Sequence, residues 1–188
     1  MRTWMMAAAA VVMLAGCGQL GGGNGVALPA PQAGVQAPSV QARPTGSVEQ
    51  VNISDSNRQE VIANLTDLLN QAGEHFATGF TPPQGFTDQT ASLQPGTDYH
   101  WQFTLHANTE YRFLGVCDVD CSNVDIEVID GRGGVVASDM LPDDYPVVSF
   151  TPPTDGTYYA RLLMQSCTRA PCYAALRVVT AGAAPAGK

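Results

Sequence analysis

The spacing of apolar residues along the 188-residue chain changes twice, and each change marks a new kind of element. From Trp4 to Ala15 the apolar run is almost unbroken. Val61, Ile62, Leu65, Leu68, Leu69, Ala72 and Phe76 then recur at three and four, the interval that gathers side chains on one face of an α-helix. Ser56-Asn57-Arg58-Gln59 reads as a capping box in front of that stripe and predicts one amphipathic helix over 56–76. A seven-member apolar stripe beside a small domain is expected to pack on that domain. Gly79-Phe80-Thr81-Pro82-Pro83-Gln84-Gly85 breaks the period and reads as a connector.

Farther on, the period falls to two. Tyr99, Trp101, Phe103 and Leu105 alternate with His100, Gln102, Thr104 and His106, the pattern of a half-buried strand. Further strands are predicted over 110–117, 124–128, 135–138, 147–150, 157–164 and 173–180. Asn108-Thr109, Asp130-Gly131-Arg132-Gly133-Gly134, Pro142-Asp143-Asp144, Pro152 to Gly156 and Arg169-Ala170-Pro171 punctuate them. The expected fold is therefore mainly β: an antiparallel β-sandwich or jelly roll of seven to eight strands with one N-terminal amphipathic helix.

The opening run belongs to a different category. Met1-Arg2 supplies a positive start, the 12 residues from Trp4 to Ala15 an apolar region, and Ala15-Gly16 small residues ahead of Cys17. That order is the order of a secretory signal, and the run falls short of the ~20 residues needed to cross a bilayer. Leu14-Ala15-Gly16-Cys17 resembles the lipobox of bacterial lipoproteins. The resemblance implies removal of residues 1–16, a diacylglyceryl thioether on Cys17 and acylation, for example by palmitate, of the new amino end. Several acyl chains anchor a soluble domain stably where one does not. In that family Gly18, rather than Asp, after the lipidated cysteine favours the outer membrane, with the domain facing the periplasm or the surface.

Residues 18–46 hold seven Gly, four Pro and the single charge Arg43, so 17–46 is expected to be the lipidated cysteine and a disordered linker. As a Gly-rich coil it would reach roughly 30 Å. The remaining organisation is then helix and connector over 47–86, β-sandwich over 87–180 and a disordered tail over 181–188.

Leu93-Gln94-Pro95-Gly96, Tyr99-x-Trp101-x-Phe103, Tyr111, Asp125-x-Glu127, Asp130-Gly131, Asp139, Pro146 and Gly156-Thr157-Tyr158-Tyr159 together resemble the bacterial pre-peptidase C-terminal domain. That family consists of small β-sandwiches attached to secreted peptidases and other exported proteins. The resemblance covers about residues 90–180 and implies a sandwich with acidic loops implicated in calcium binding or substrate adhesion.

Charge narrows the partners. With 17 Asp and Glu against 9 Lys and Arg, the chain carries a formal charge of -8 and repels nucleic-acid phosphates. Nine of the acids and only two bases lie between Glu110 and Asp144. Oxygen-rich loops suit calcium, which makes Asp118, Asp120, Asp139, Asp143 and Asp144 candidate ligands; the competing reading is a solvated acidic face. Asp118-x-Asp120-x-Ser122 begins like an EF-hand loop, but Asn123 and Ile129 stand where that loop needs its glycine and its bidentate glutamate.

Cys117, Cys121, Cys167 and Cys172 form an even set in a chain expected to be exported, which points to two disulfides. Three connectivities exist. Cys117–Cys121 with Cys167–Cys172 is preferred, because Thr168 to Pro171 reads as a turn joining two strands. The first pair requires a bend at Asp118-Val119-Asp120, since an extended strand would hold residues four apart at about 13 Å. A four-thiolate zinc site is the rival reading.

Enzyme motifs are missing: there is no G-x-S-x-G and no H-E-x-x-H. His100 and His106 lie some 20 Å apart on one strand face, and Asp125 and Glu127 read as a solvated pair about 6.6 Å apart on an exposed face. The sequence thus predicts a non-catalytic, lipid-anchored envelope protein. Its disulfide-stapled sandwich would bind an unknown protein or glycan ligand or support envelope assembly, without a cofactor and without nucleic acid. A calcium-binding adhesion or accessory module for a secreted enzyme is the alternative.

Overall fold

The computed structural model describes residues 25–41 and 47–181. The signal segment, Cys17 and residues 182–188 of the expected tail lie outside the described residues. The elements follow in the order β1 (Glu49–Gln50), α1 (Asp55–Phe76), β2 (Phe80–Thr81), β3 (Gln89–Leu93), β4 (Thr97–Leu105), β5 (Tyr111–Cys117), β6 (Cys121–Ile129), β7 (Val135–Asp139), β8 (Val147–Phe150), β9 (Gly156–Cys167), β10 (Arg169–Ala170) and β11 (Cys172–Ala181). Eight of these strands have four or more residues, within the seven to eight expected, and β3 is the one among them that the alternation did not place.

Two antiparallel sheets carry the fold. One runs β2-β11-β5-β8 with β3 also on β11, and the other runs β4-β9-β6-β7. Between them Phe103, Leu105, Phe113, Val124, Ile126, Val128, Leu162, Met164, Leu176 and Val178 form the main core. The strand Tyr111–Cys117 is apolar on both sides, and for good reason. Phe113 faces the inter-sheet core, while Leu114 and Val116 face outward and meet Leu65, Leu69 and Ala72 of α1, with Ala175 and Val179 beside them. The helical stripe is thus spent on the sheet. Its N-cap is Ser54, whose hydroxyl accepts from Asn57 N–H at 3.3 Å, so the helix starts one residue before the predicted Ser56.

The segment expected to be a connector is stitched into the sandwich. β1 pairs in parallel with β10, and β2 extends the β11 edge, both through two-residue ladders. Among the described residues no helix is long and apolar enough to cross a membrane.

The largest departure concerns the linker. Residues 25–41, within the stretch expected to be disordered, lie against the β4-β9-β6-β7 sheet as a strap with one turn, closed by Val35 N–H donating to Gln32 O at 3.4 Å. Val26 N–H donates to His100 O at 3.1 Å, Gln32 N–H to Arg132 O at 3.0 Å, and Val135 N–H to Gln36 O at 2.8 Å. Composition reads side chains, and these bonds are made by backbone.

Candidate functional site

Strand alternation puts Val124, Ile126, Val128, Ala160, Leu162 and Met164 in the core, and therefore turns Asp125, Glu127, Ile129, Arg161 and Leu163 to the opposite face of their sheet. An outer face should be wet. Yet Asp125, Glu127 and Arg161 are only 2%, 3% and 8% exposed, and Ile129 and Leu163 are fully buried. The cover is the strap, which corrects the expectation of a solvated acidic pair at Asp125 and Glu127.

Beneath the strap is a row of cross-strand neighbours. His100 on β4 pairs with Arg161 on β9, Arg161 with Glu127 on β6, and Glu127 with Ser138 on β7. The Arg161 guanidinium gathers two carboxylates: Nη1 donates to Glu127 Oε2 at 2.8 Å, and Nε donates to Asp98 Oδ2 at 2.6 Å while Nη2 reaches the same oxygen. The ion pair also reads the strap. Glu127 Oε1 accepts from Ser39 N–H at 2.9 Å, and Arg161 Nη1 donates to Ser39 O at 2.8 Å. One residue of the strap thus has each of its backbone groups taken by a buried charge opposite in sign to its own partial charge, the strong form of hydrogen bond.

Two carboxyls respond in opposite directions. Burial, the largest single influence on Asp98, pushes its carboxyl up, but the adjacent His100 ring and the Arg161 guanidinium together outweigh it and hold the group below the usual carboxylate value. His100 Nε2 stands 3.2 Å from Asp98 Oδ1. Burial also pushes Asp125 up, and there it prevails: one hydrogen bond from Gln165 Nε2 opposes it, while Asp139, Glu127 and Asp143 add repulsion. Asp125 Oδ1 and both amide atoms of Gln41 are buried without a hydrogen-bond partner.

Space for the strap comes from two glycines in the β6–β7 turn. A Cβ on Gly133 would lie 2.5 Å from Pro29 O, and one on Gly134 would lie 2.7 Å from Val35 Cβ. Gly133 also has φ +77, open to glycine and costly to most other residues.

The predicted calcium ligands are divided between two turns, and four of the five are engaged with other groups of the protein. Asp118 accepts Asp120 N–H at 3.3 Å and Tyr173 N–H at 2.8 Å, and Asp120 pairs with Arg169 at 3.0 Å. Asp139 accepts Leu141 N–H at 3.2 Å and Val147 N–H at 2.8 Å, and Asp143 accepts Tyr145 N–H at 3.1 Å. Asp144 closes the second group in the loop after β7. Among the described residues no three His, Cys, Asp or Glu side chains converge on a point that could hold a metal ion. The repeated Asp-x-x spacing is the signature of carboxylates folding back on their own turns.

The cysteines pair as preferred. Cys117 and Cys121 bridge with α-carbons 5.9 Å apart across the predicted bend, and Cys167 and Cys172 bridge at 6.1 Å across the Thr-Arg-Ala-Pro turn.

Other concavities are shallow, and several of their ionisable groups are occupied. A hollow of about 490 Å³ beside the C-terminal end of α1 includes Arg177, whose guanidinium is tied to Asp88 at 2.7 and 2.6 Å and to Asn70 at 2.9 Å. A second, of about 420 Å³, is flanked by Asp130 and Asp155, which accept backbone N–H groups of Arg132, Gly134 and Ala107. A third, of about 300 Å³, lies along β4 at Tyr99, Trp101 and Gln102, next to Gly25 and Val26 of the strap.

Arg161, Asp98 and Ser39 are the residues that sequence reading passed over. Arg161 carried a signal: it is a lone cation inside the otherwise apolar run from Tyr158 to Met164.

No family model and no curated protein matches the chain. Among solved structures it is similar to Aeromonas hydrophila PliG, a periplasmic lysozyme inhibitor of g-type lysozyme. The two are 12% identical, with 52% of this chain and 94% of that chain covered, at a TM-score of 0.37.

Proposed function

We propose that this protein is an exported, non-catalytic β-sandwich, held at the outer membrane by lipid on Cys17, that binds a protein or glycan ligand or serves an envelope assembly. The observation that carries the reading is that all four cysteines of the sandwich are consumed in two short-range cystines, chemistry that belongs to an oxidising compartment. The leader supplies the address and the lipobox its anchor. A non-catalytic role is supported by the way the ionisable groups are used: Arg161, Glu127, Asp98, Asp118 and Asp139 hold backbone or each other, and Arg177 holds Asp88. The calcium-dependent adhesion reading has less support, because Asp118, Asp139 and Asp143 already accept backbone N–H groups and Asp120 is paired with Arg169.

Mass spectrometry of the protein expressed with its own leader tests this. The expected N-terminal peptide begins at Cys17 and carries the thioether lipid, with the protein in the outer-membrane fraction. Cys17→Ala is expected to leave an unprocessed precursor. Intact chain with five free thiols in the cytoplasm would overturn the proposal.

A further inference from the structure

The strap and the face beneath it form an interface with an unusual division of labour. At Ser39 the sheet contributes charged side chains and the strap contributes backbone, while at Val26, Gln32 and Gln36 both sides contribute backbone. Val26, Gln32, Gln36 and Ser39 bond through N–H or C=O groups, and the single side-chain contact among them is a long one, 3.5 Å from Arg161 Nη1 to Ser39 Oγ. Residues 25–41 carry no charge, and no sheet ladder includes them. The face admits an uncharged chain at close approach: Gly133 and Gly134 leave room for its backbone and for Val35.

The fit is also incomplete. Asp125, only 2% exposed and on the same face as Glu127, keeps one oxygen without a donor, and Gln41 keeps its whole amide unpaired.

We propose that the outer face of the β4-β9-β6-β7 sheet is a binding groove for an uncharged peptide segment, gripped by Arg161 and Glu127 through the N–H and C=O of one residue, with residues 25–41 as its tethered occupant. The proposal rests on the non-catalytic binding role above and names its ligand class. A competing segment of another polypeptide must have a residue other than proline at the clamp, because proline lacks the N–H that Glu127 accepts. The tether gives the strap an effective concentration in the millimolar range, so the intact chain excludes weak competitors.

The full chain with a specific protease sequence in place of residues 42–46 tests this. It is folded, cut and passed over a sizing column, and a fluorescent peptide of residues 25–41 is then titrated into it. The proposal expects the cut strap to co-elute or, once it has washed off, the labelled peptide to bind saturably and the uncut protein to bind it far less. A peptide with Ser39→Pro should bind at least about tenfold more weakly, whereas Ser39→Ala should stay within about twofold. The peptide variants leave the protein untouched, so misfolding cannot imitate the result. Arg161→Gln protein, checked for its thermal transition, should lose the labelled peptide as well. Loss of the cut strap with no saturable binding up to about 1 mM, or equal binding of the Ser39→Pro peptide, would overturn the proposal. Wrong lipidation or localisation would instead appear in fractionation and leave these titrations unchanged.

Discussion

Arg161 and Glu127 face each other across β9 and β6 with 2.8 Å between Nη1 and Oε2, both nearly excluded from water. Such a pair is costly to desolvate, and its value lies in what it holds. Arg161→Met would strand Glu127 as a buried charge and take from half-buried Asp98 its guanidinium partner, and is expected to destabilise by about 3–5 kcal/mol. Glu127→Gln leaves Arg161 its Asp98 partner and should cost less, about 1–3 kcal/mol. Urea unfolding of both variants gives the order, and equal losses would mean that Asp98 does not share the guanidinium.

The neighbouring carboxyls should drive stability in opposite directions with pH. Asp98, held below its ordinary value in the folded state, stabilises above the unfolded carboxylate value near pH 4, and that contribution is lost as pH falls through its folded value. Asp125, raised by burial, favours the folded state when protonated and penalises it as pH rises through its own folded value. Asp125→Asn is therefore expected to raise Tm at pH 7, by about 2–4 °C if roughly 1 kcal/mol is recovered, with the gain vanishing toward pH 3. Asp98→Asn should lower Tm at pH 7, with its deficit shrinking in acid. Scanning calorimetry across that range decides both signs.

Two glycines of the β6–β7 turn should control the strap without touching the core. Gly134→Val puts a side chain into Val35, and Gly133→Ala meets Pro29 O while occupying φ +77. Amide exchange over 25–41 should accelerate in both variants while β5, β6, β9 and β11 stay protected. Gly34→Ala provides the contrast: its φ is +82 but nothing lies within 4 Å, so it should cost only about 1 kcal/mol of backbone strain.

Period and punctuation made the sandwich legible. Alternation in Tyr99 to Leu105 and in Val124 to Val128 located strands whose apolar sides meet between the sheets, and the spacing from Val61 to Ala72 located the helix that covers one outer face. The cystine pairing was legible for the same reason, since both pairs bracket turns. The cover on the other outer face was not. Composition scores a Gly/Pro-rich, charge-free segment as unable to fold, and it is correct that residues 25–41 have no core of their own. What holds them is supplied by residues far along the chain, the Glu127 and Arg161 side chains and the backbone of His100, Arg132 and Val135, acting on backbone groups. For the same reason Asp125 and Glu127 read as solvated: alternation gives the face a residue points to, but not what lies over it.

The two cystines should act as one unit. Cys121 and Cys167 are register partners on β6 and β9, Thr168 N–H donates to Asp120 O at 2.7 Å, and Arg169 pairs with Asp120 at 3.0 Å. The turn inside each bridge is thereby bonded to the turn inside the other. Chain-entropy estimates for loops this short give about 2 kcal/mol per bridge. With one bridge replaced by alanines, the surviving bridge still holds the opposite turn, and through it the opened one, so each single removal is partly compensated. Removing both should therefore cost more than the sum of the separate losses. A double-mutant cycle on the Cys117→Ala/Cys121→Ala and Cys167→Ala/Cys172→Ala variants, read by urea unfolding, measures the excess. Additivity within about 0.5 kcal/mol would show instead that the Asp120 contacts carry no coupling between the turns.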